Sequence, residues 1–506
     1  MRKSYNYLFG IENMNIIRRA LICQLEYEME KRQTFGVIVT SRNIFPAKLA
    51  IAERRNIKAK LDKMGFGCVI LGEDEVPNGA VETYSDAKKC AALFKAKSEE
   101  IDGVIVILPN FGDEQAVTQA IDMSQLDVPV LVQACDEMDP TRLTLGKRRD
   151  SFCGKLSLCN NLYQYGIPFT NTTYHTCHIT DDVFTEDLNR FAAMCRIVNG
   201  LRGARIGAIG ARPEAFHTVR FSEKLLQASG IKVVTVDLSE IFSAANAFGD
   251  DVAEVCDKVK AIKDYGKIPL SVSEDKILRQ AKLSVAIDNW MAENECVASA
   301  IQCWTAVQQH YGCATCLSMS MMGEQGKPSA CEMDVAGTVS MYALNLASGG
   351  KPSGFVDWNN DYGDQRDKCI VTHCSNYPKS FVGGDIEISE LDVLGESLGR
   401  DNCFAGIKGR IAPGDMTFTR ISTDDALGTI KAYVGQGKFT DDSLECDGGV
   451  GVCEVPHLQE LLDYLCRNGF EHHVAMNRGS YADAVEEAFG RYLGWEVYNH
   501  RGHLQR

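Results

Sequence analysis

The stretch FGVIVTS at residues 35–41 is a short apolar run, and PAKLAIAERRNIKAKLDKMG at residues 46–65 follows it. The first run predicts a buried β-strand, because continuous apolar runs of this length are typical of strands covered on both faces. The second predicts a helix, since proline is tolerated at a first helical position and Gly65 suits a helix end. A buried strand followed directly by a helix is the unit from which α/β folds are built.

The same alternation continues along the chain. Further strands are predicted over residues 67–72, 103–109 and 128–134, and further helices near residues 84–97 and 114–123. Because consecutive βα units place their strands in parallel, the pattern predicts a sheet with helices on both faces. A second unit of this kind begins near residue 180, with a helix over 183–200 and strands over 204–213 and 231–238.

The pattern changes after residue 350. Short alternating segments such as GDIEIS (384–389) and DMTFTRIS (415–422) are typical of antiparallel strands joined by turns. Two helices are predicted to close the chain, near residues 457–468 and 480–493. We therefore predict an α/β fold of two Rossmann-like parallel-sheet domains, at residues 1–175 and 176–350. A β-rich, barrel-like C-terminal domain follows at residues 351–506.

Acidic residues outnumber basic ones, and the formal net charge is −15. Such a chain has no basic surplus to neutralise phosphates, so we expect neither nucleic acid nor a membrane as partner. No apolar run reaches the roughly 18–20 residues of a membrane helix. The first residues, MRKSYNYLFGIENMN, also lack the apolar core of a signal peptide. We therefore expect a cytoplasmic protein in which most of the 20 cysteines are free thiols.

Two cysteine-containing motifs leave alternatives open. Cys313 and Cys316 form a CxxC pair, a spacing that suits zinc or redox chemistry, but no second CxxC completes a four-ligand site. Core thiols beside an apolar stretch are the simpler interpretation. The run YHTCH, with His175, Cys177 and His178, is a further candidate metal cluster.

Three polar stretches stand in apolar surroundings, where burying a charge is costly unless it is compensated. In PSACEMDVAG (328–337), Glu332 and Asp334 stand at a predicted helix start, where the helix dipole stabilises a carboxylate. An acidic helix start is also common without any function. In VDWNNDYG (356–363), Asp357 stands between apolar residues, and the acidic residues after it read either as a solvated loop or as a calcium-like loop.

The histidines give the third signal. His373 lies on the strand KCIVTHC, where a lone histidine is more often a core residue than a ligand. In EHHVAM (471–476), His472 and His473 are adjacent, and neighbouring residues on a strand face opposite ways. One of them could therefore coordinate a metal while the other orients a substrate.

Two carboxylates and one histidine form a ligand set that suits Mn²⁺ or Mg²⁺ better than zinc. Such an ion can hold O1 and O2 of an open-chain sugar and act as a Lewis acid on the carbonyl, which acidifies the neighbouring C–H. A carboxylate at hydrogen-bond distance then moves a proton between C2 and C1. Composition alone does not select this reaction.

PSACEMDVAG, VDWNNDYG and EHHVAM resemble, in order and spacing, the metal-binding segments of the L-fucose isomerase and L-arabinose isomerase superfamily. The resemblance covers most of the chain and marks it as a divergent, fucose isomerase-like member. It implies a divalent cation, Mn²⁺ or else Mg²⁺ or Co²⁺, bound by Glu332, Asp357 and His473. It further implies that Glu332 and Asp357 act as the acid/base pair. His373 and His472 are additional candidate contacts to metal or substrate.

The resemblance implies an intramolecular oxidoreductase that interconverts aldoses and ketoses through a metal-bound cis-enediol. The expected substrate is an open-chain hexose, 6-deoxyhexose, sulfosugar or pentose. Sulfoquinovose isomerase within the same fold is one alternative, and a non-catalytic sugar-binding protein or another metal-enolate enzyme, such as an aldolase, are others. Family members usually form hexamers, so the resemblance also implies a homo-oligomer.

Several further residues are candidate contacts to the substrate. Gln302 and Trp304 in AIQCWTAVQ could hydrogen-bond to and stack on a sugar, or simply belong to a packed helix. Trp358 is a candidate because it adjoins Asp357. Arg212 and the basic run at residues 147–149 suit a substrate that carries a sulfonate or phosphate, since arginine makes bidentate contacts with anions.

Overall fold

The structure, a computed structural model, describes residues 32–144, 146–373, 376–446 and 448–500. The prediction for the first 15 residues therefore lies outside the described part. The chain divides into two compact units, Met1–Asn199 and Gly200–Arg506. The three-domain boundaries inferred from the sequence stay a prediction. No helix among the described residues combines the length and the apolar character needed to cross a membrane.

The first unit is built on a parallel sheet. Its strands are β1 (Thr34–Val39), β2 (Gly67–Val69), β3 (Gly103–Leu108), β4 (Val130–Ala134) and β5 (Thr170–Asn171), in the order β2-β1-β3-β4-β5. Its helices are α1 (Ala47–Lys63), α2 (Tyr84–Ala96), α3 (Glu114–Ser124), α4 (Ser151–Gln164) and α5 (Asp182–Leu201). Every residue of the central strands β3 and β4 is buried, which is why these strands are continuous apolar runs in the sequence.

The second unit begins with a smaller parallel sheet. Its strands are β6 (Arg205–Ile209), β7 (Lys232–Val236), β8 (Ala298–Ile301) and β9 (Ser329–Ala330), in the order β7-β6-β8-β9. The accompanying helices are α6 (Glu223–Ala228), α7 (Leu238–Ala247), α8 (Ala253–Tyr265), α9 (Glu274–Glu293), α10 (Ala306–His310), α11 (Cys316–Glu324) and α12 (Val335–Ala347). Because β8 and β9 are parallel neighbours, the segments that follow them meet at one sheet edge.

A large mixed sheet completes the second unit. Its strands are β10 (Gly354–Asp361), β11 (Lys368–His373), β12 (Glu387–Glu390), β13 (Phe404–Arg410), β14 (Gly414–Asp424), β15 (Thr429–Thr440), β16 (Gly449–Glu454), β17 (His473–Arg478) and β18 (Glu496–Asn499). They follow the order β12-β13-β16-β11-β10-β17-β14-β15-β18, and β15 also pairs with β16. The helices here are α13 (Lys379–Val382), α14 (Asp392–Leu398), α15 (Leu458–Arg467) and α16 (Ala482–Glu487).

Helix α12 connects the two sheets of the second unit. Nearly all its residues are buried, and it packs against β8 and β9 on one side and β14 and β17 on the other. Gly337 permits close packing, because a Cβ there would lie 2.4 Å from Cζ of Phe355 on β10. The N-terminus of α12 therefore lies beside the centre of the large sheet.

The coarser fold prediction is confirmed: the chain is mixed α/β, with parallel sheets first and a large strand-rich sheet at the C-terminal end. The finer descriptions, Rossmann-like and barrel-like, stay predictions.

Candidate metal centre

Glu332 lies in the turn between β9 and α12. Both Glu332 and Met333 have left-handed backbone conformations, with φ of 55° and 60°. Such φ values cost roughly 1 kcal/mol or more for residues with a side chain, so the surroundings must hold the turn. Asp334 contributes by capping α12: its Oδ1 accepts a hydrogen bond of 2.7 Å from the Gly337 amide.

The large sheet supplies the other ligand candidates through its register. Strand β10 lies between β11 and β17. Asp357 on β10 stands directly opposite His473 on β17 and opposite Thr372 on β11. His373 follows Thr372 and ends β11. His373 at the end of β11 and His473 at the start of β17 thus lie on either side of Asp357 on β10, and both imidazoles lie near Glu332.

Four donor atoms converge at this point. His373 Nε2 lies 3.4 Å from Glu332 Oε2 and 3.9 Å from Asp357 Oδ1. His473 Nε2 lies 3.9 Å and 3.5 Å from the same two oxygens, and 3.3 Å from His373 Nε2. A tetrahedral ion with bonds of about 2.0–2.2 Å separates its ligand atoms by about 3.3–3.6 Å. Three of the five distances fall in that range and the other two are 3.9 Å, so the donor set suits a divalent cation after a small adjustment of the side chains.

The charges of this cluster also suit a cation. Asp357 Oδ1 is buried and, among the described residues, has no hydrogen-bond partner. Burial alone would lower the pKa of His373, but the neighbouring carboxylates of Glu332 and Asp357 raise it to about 9. The carboxylates thus favour a positive charge at this position, and a bound divalent ion would supply it.

A buried ion network orients His473. Its Nδ1 lies 2.8 Å from Asp334 Oδ2, and the Arg420 guanidinium contacts both oxygens of Asp334. Burial alone would raise the pKa of Asp334, but Arg420 and the hydrogen bond with His473 hold it well below its usual value. Arg420 also donates to Glu471 Oε2 at 3.1 Å. Asp334 therefore stays ionised and accepts the Nδ1 proton, which leaves the Nε2 lone pair for a ligand.

Aromatic side chains line the approach to the cluster. The ring of Phe216 lies 5.7 Å from that of His472 and 5.5 Å from that of His473. Trp304 Nε1 donates to Glu332 Oε1 at 3.1 Å. His472 Nε2 lies 3.7 Å from Asp357 Oδ1, and its side chain is 44% exposed. Burial, with a smaller contribution from His473, lowers the pKa of His472 and favours the neutral imidazole.

Three predicted substrate contacts have protein partners away from the four donors. Gln302 Oε1 accepts from the Ala211 amide, and Arg212 donates to the carbonyls of Pro213 and Glu214. Trp358 donates to the hydroxyl of buried Tyr433, in keeping with the alternation of side chains after Asp357. Their roles toward a substrate stay predictions.

The motifs around Cys313 and His175 form no comparable cluster. Among the described residues, every group of three or more metal-type side chains with ligand atoms within 4.8 Å includes Glu332 or Asp357. Arg420, Phe216 and the role of Asp334 were not found from the sequence. The sequence held a signal for Arg420, because it is the one charged residue in the segment TFTRIS (417–422).

Comparison with known proteins identifies the family. Residues 36–202 match the profile "Fucose/sulfoquinovose isomerase, N-terminal domain", and residues 371–501 match "L-fucose isomerase, C-terminal domain". The chain belongs to the fucose isomerase-like family. His373, His472 and His473 of this fucose isomerase-like protein lie within the second matched segment, whereas Glu332 and Asp357 lie between the two matched segments. The predicted membership of this family is thereby confirmed, whereas the resemblance of the segments around Glu332 and Asp357 stays a prediction.

Curated relatives of this fucose isomerase-like chain are named sulfoquinovose isomerase. Those from Alkalicoccus urumqiensis and Priestia aryabhattai are each 25% identical over 411 residues. The first alignment covers 78% of this chain and 85% of the relative, and the second covers 80% and 87%. The relative from Clostridium sp. (strain MSTE9) is 24% identical over 198 residues, or 38% of this chain and 41% of its own length.

The family fixes the reaction class. Fucose isomerases and sulfoquinovose isomerases interconvert aldoses and ketoses, so this family member is an intramolecular oxidoreductase of that class. Among solved structures, a periplasmic solute binding protein from Actinobacillus succinogenes 130z with bound D-allose is 11% identical. The alignment covers 63% of this chain and 92% of the binding protein. The TM-score of 0.17 is too low to support an argument from this similarity.

Proposed function

We propose that the chain is a divalent-cation-dependent aldose–ketose isomerase whose ion is held by Glu332, Asp357 and His473, with His373 as a fourth ligand. The observation that carries the proposal is the convergence of two imidazole Nε2 atoms and two carboxylate oxygens, with nitrogen–nitrogen and nitrogen–oxygen distances of 3.3–3.9 Å. Nitrogen and carboxylate oxygen donors suit Mn²⁺, and Mg²⁺ or Co²⁺ are alternatives.

The side chains in and around the cluster of donor atoms have different roles in the proposed reaction. A bound cation would supply Lewis acidity toward the carbonyl and hydroxyl oxygens of an open-chain sugar. Of the two carboxylates, Glu332 and Asp357, one moves the proton between C2 and C1, and the other serves the proton exchanged between O1 and O2. Trp304 holds the Glu332 carboxylate in place. Phe216 and Trp304 exclude water from one side of the cluster of donor atoms. The exposed side chain of His472 is placed to hydrogen-bond to a sugar hydroxyl.

The substrate class proposed first is a sulfonated hexose. The basis is the name shared by relatives that align over most of their length. A neutral hexose, a 6-deoxyhexose and a pentose are the competing substrates. Arg212 is the candidate partner for the anionic group. The cytoplasmic location and the hexamer are further proposals that rest on sequence interpretation and family resemblance.

The test is a panel of aldoses in D₂O followed by NMR, with sulfoquinovose, fucose, arabinose and rhamnose as substrates. We expect turnover only after EDTA-treated protein receives Mn²⁺, with deuterium entering at C1 or C2. If the product retains the C2 hydrogen completely, the enediol mechanism is wrong and the reaction proceeds by a hydride shift. Binding without turnover, unaffected by Glu332→Gln, would favour a sugar-binding protein, and products of C–C cleavage would favour an aldolase.

A further inference from the structure

The Glu332 carboxylate faces two chemically different environments. Its Oε2 lies beside the two imidazoles, at 3.4 Å from His373 and 3.9 Å from His473. Its Oε1 faces the other way: Cys303 Sγ donates to it at 3.4 Å, and Trp304 Nε1 at 3.1 Å. One carboxylate therefore lies between the cluster of nitrogen and oxygen donors and a region that contains sulfur.

The parallel sheet brings a second thiol to this region. Cys303 follows β8 and Cys331 follows β9, and these two strands are paired in parallel. Both thiols are buried, at 2% and 0% exposure. One ligand atom each from Cys303, Cys331 and Glu332 lies within 4.8 Å of the other two. The cluster thus offers two sulfurs and one carboxylate oxygen.

We propose that Cys303, Cys331 and Glu332 Oε1 form a second cation site that binds a soft divalent ion such as Zn²⁺. Bonds of about 2.0 Å to oxygen and 2.3 Å to sulfur place tetrahedral ligand atoms about 3.5–3.8 Å apart. The 3.4 Å between Cys303 Sγ and Glu332 Oε1 is close to the lower end of that range. On binding, each thiol loses its proton to solvent and donates a sulfur electron pair to the ion, so two protons are released per ion bound.

The two sites share Glu332, and this sharing has a chemical consequence. Thiolates select soft ions, whereas imidazole with carboxylates also suits Mn²⁺ and Mg²⁺. An ion on the sulfur side withdraws electron density from the carboxylate and repels a second dication on the imidazole side. Soft ions are therefore inhibitors that excess Mn²⁺ does not fully displace. The inhibition rests on the proposed function, whereas the binding of a soft ion does not.

Cadmium titration of the full-length, Mn²⁺-loaded protein tests the proposal, because Cd²⁺–thiolate bonds have an ultraviolet charge-transfer band. The background chain carries Cys153→Ser, Cys256→Ser, Cys446→Ser and Cys466→Ser, since these four cysteines are exposed. We expect one Cd²⁺ per chain with a thiolate band. Adding Cys303→Ser or Cys331→Ser should weaken the band and lower the affinity for Cd²⁺ at least tenfold, and adding both should abolish the band. Adding Cys90→Ser, a buried thiol in the first unit, should change neither.

Several outcomes would overturn the site. A background chain without the band, or a band unchanged by Cys303→Ser and Cys331→Ser together, excludes it. Equal inhibition of the background and the doubly substituted chain places the inhibitory ion among the histidines instead. If the variants do not fold, ¹¹³Cd NMR of the background chain decides, because two-sulfur and nitrogen/oxygen coordination give separate resonances. A thiolate band without any Mn²⁺-dependent turnover would contradict the proposed function but not this site.

Discussion

Asp334 links the cluster of four donor atoms to the buried ion network around Arg420. It is completely buried, and it contacts His473, Arg420 and the start of α12. A histidine ligand is commonly fixed by a carboxylate on its other nitrogen, and losing that carboxylate typically lowers metal affinity 10- to 100-fold. We therefore expect Asp334 to be a positioning residue that acts through His473.

The first prediction concerns Asp334→Asn. We expect Mn²⁺ affinity to fall by about 10- to 100-fold, because Asn no longer holds His473 with a charged acceptor. The free energy of unfolding should also fall, by about 3 kcal/mol, since buried Arg420 loses one of its two anionic partners. Calorimetric Mn²⁺ titration and thermal unfolding measure the two effects.

Glu471→Gln is the matched control for Asp334→Asn. It also removes an anionic partner of Arg420, but Glu471 contacts Arg420 and Ser422 rather than His473. We expect a comparable loss of stability and a much smaller loss of Mn²⁺ affinity. Equal losses of affinity in the two variants would show that general destabilisation, and not the orientation of His473, explains the result.

The second prediction concerns Trp304→Phe, which keeps an aromatic ring but removes the donor to Glu332 Oε1. A hydrogen bond to a charged group contributes about 1.5–3 kcal/mol. We expect kcat/KM to fall roughly tenfold or more, measured with the best substrate of the panel. Trp358→Phe loses a similar bond, to Tyr433, so it should mainly lower stability. A larger activity loss in Trp358→Phe would instead support its predicted contact with the sugar.

Among the elements, α12 sets the distance between the two halves of the cluster. It carries Glu332 and Asp334 at its N-terminal side and packs on Phe355 through Gly337. The Phe355 ring contacts the imidazoles of both proposed ligands, with centroids 5.5 Å from His373 and 4.8 Å from His473. Packing at Gly337 is thereby coupled to the histidine geometry.

The third prediction concerns Gly337→Ala. The added Cβ would lie 2.4 Å from Phe355 and 2.8 Å from Arg420, so helix and strand must move apart. We expect a loss of about 1–3 kcal/mol in stability, with weaker Mn²⁺ binding. Gly490→Ala is the control, because its Cβ would meet only Val497 at 3.7 Å. If both variants match the parent in Mn²⁺ affinity, the coupling through Phe355 is wrong.

Local sequence patterns predicted most helices and strands. The contacts that build the site join residues far apart in the sequence, so local patterns could not predict them. The predicted strand at 103–109 and helix at 183–200 correspond to Gly103–Leu108 and Asp182–Leu201, because burial and helix periodicity are local signals. The left-handed turn at Glu332 follows no local rule, since its neighbours impose it. The contact of Asp334 with His473 depends on two residues 139 positions apart, which no local pattern specifies.

At the scale of the whole molecule, the fourth prediction is a homo-oligomer, expected to be a hexamer from the family resemblance. Light scattering coupled to size-exclusion chromatography should then give six times the chain mass of 55.8 kDa. A mass equal to one chain at working concentrations would contradict it. Repeating the measurement after EDTA treatment shows whether assembly requires the cation.

The position of β17 has a consequence for how the protein is made. This strand lies between β10 and β14, although the ribosome synthesises it after both. The hairpins β10–β11 and β14–β15 can form on the growing chain, but His473 reaches them only after β17 has also been synthesised. We expect nascent chains that end before β17 to capture no Mn²⁺, which binding to arrested chains of increasing length would measure. If the proposed metal site is correct, we expect metal loading to follow the synthesis of β17.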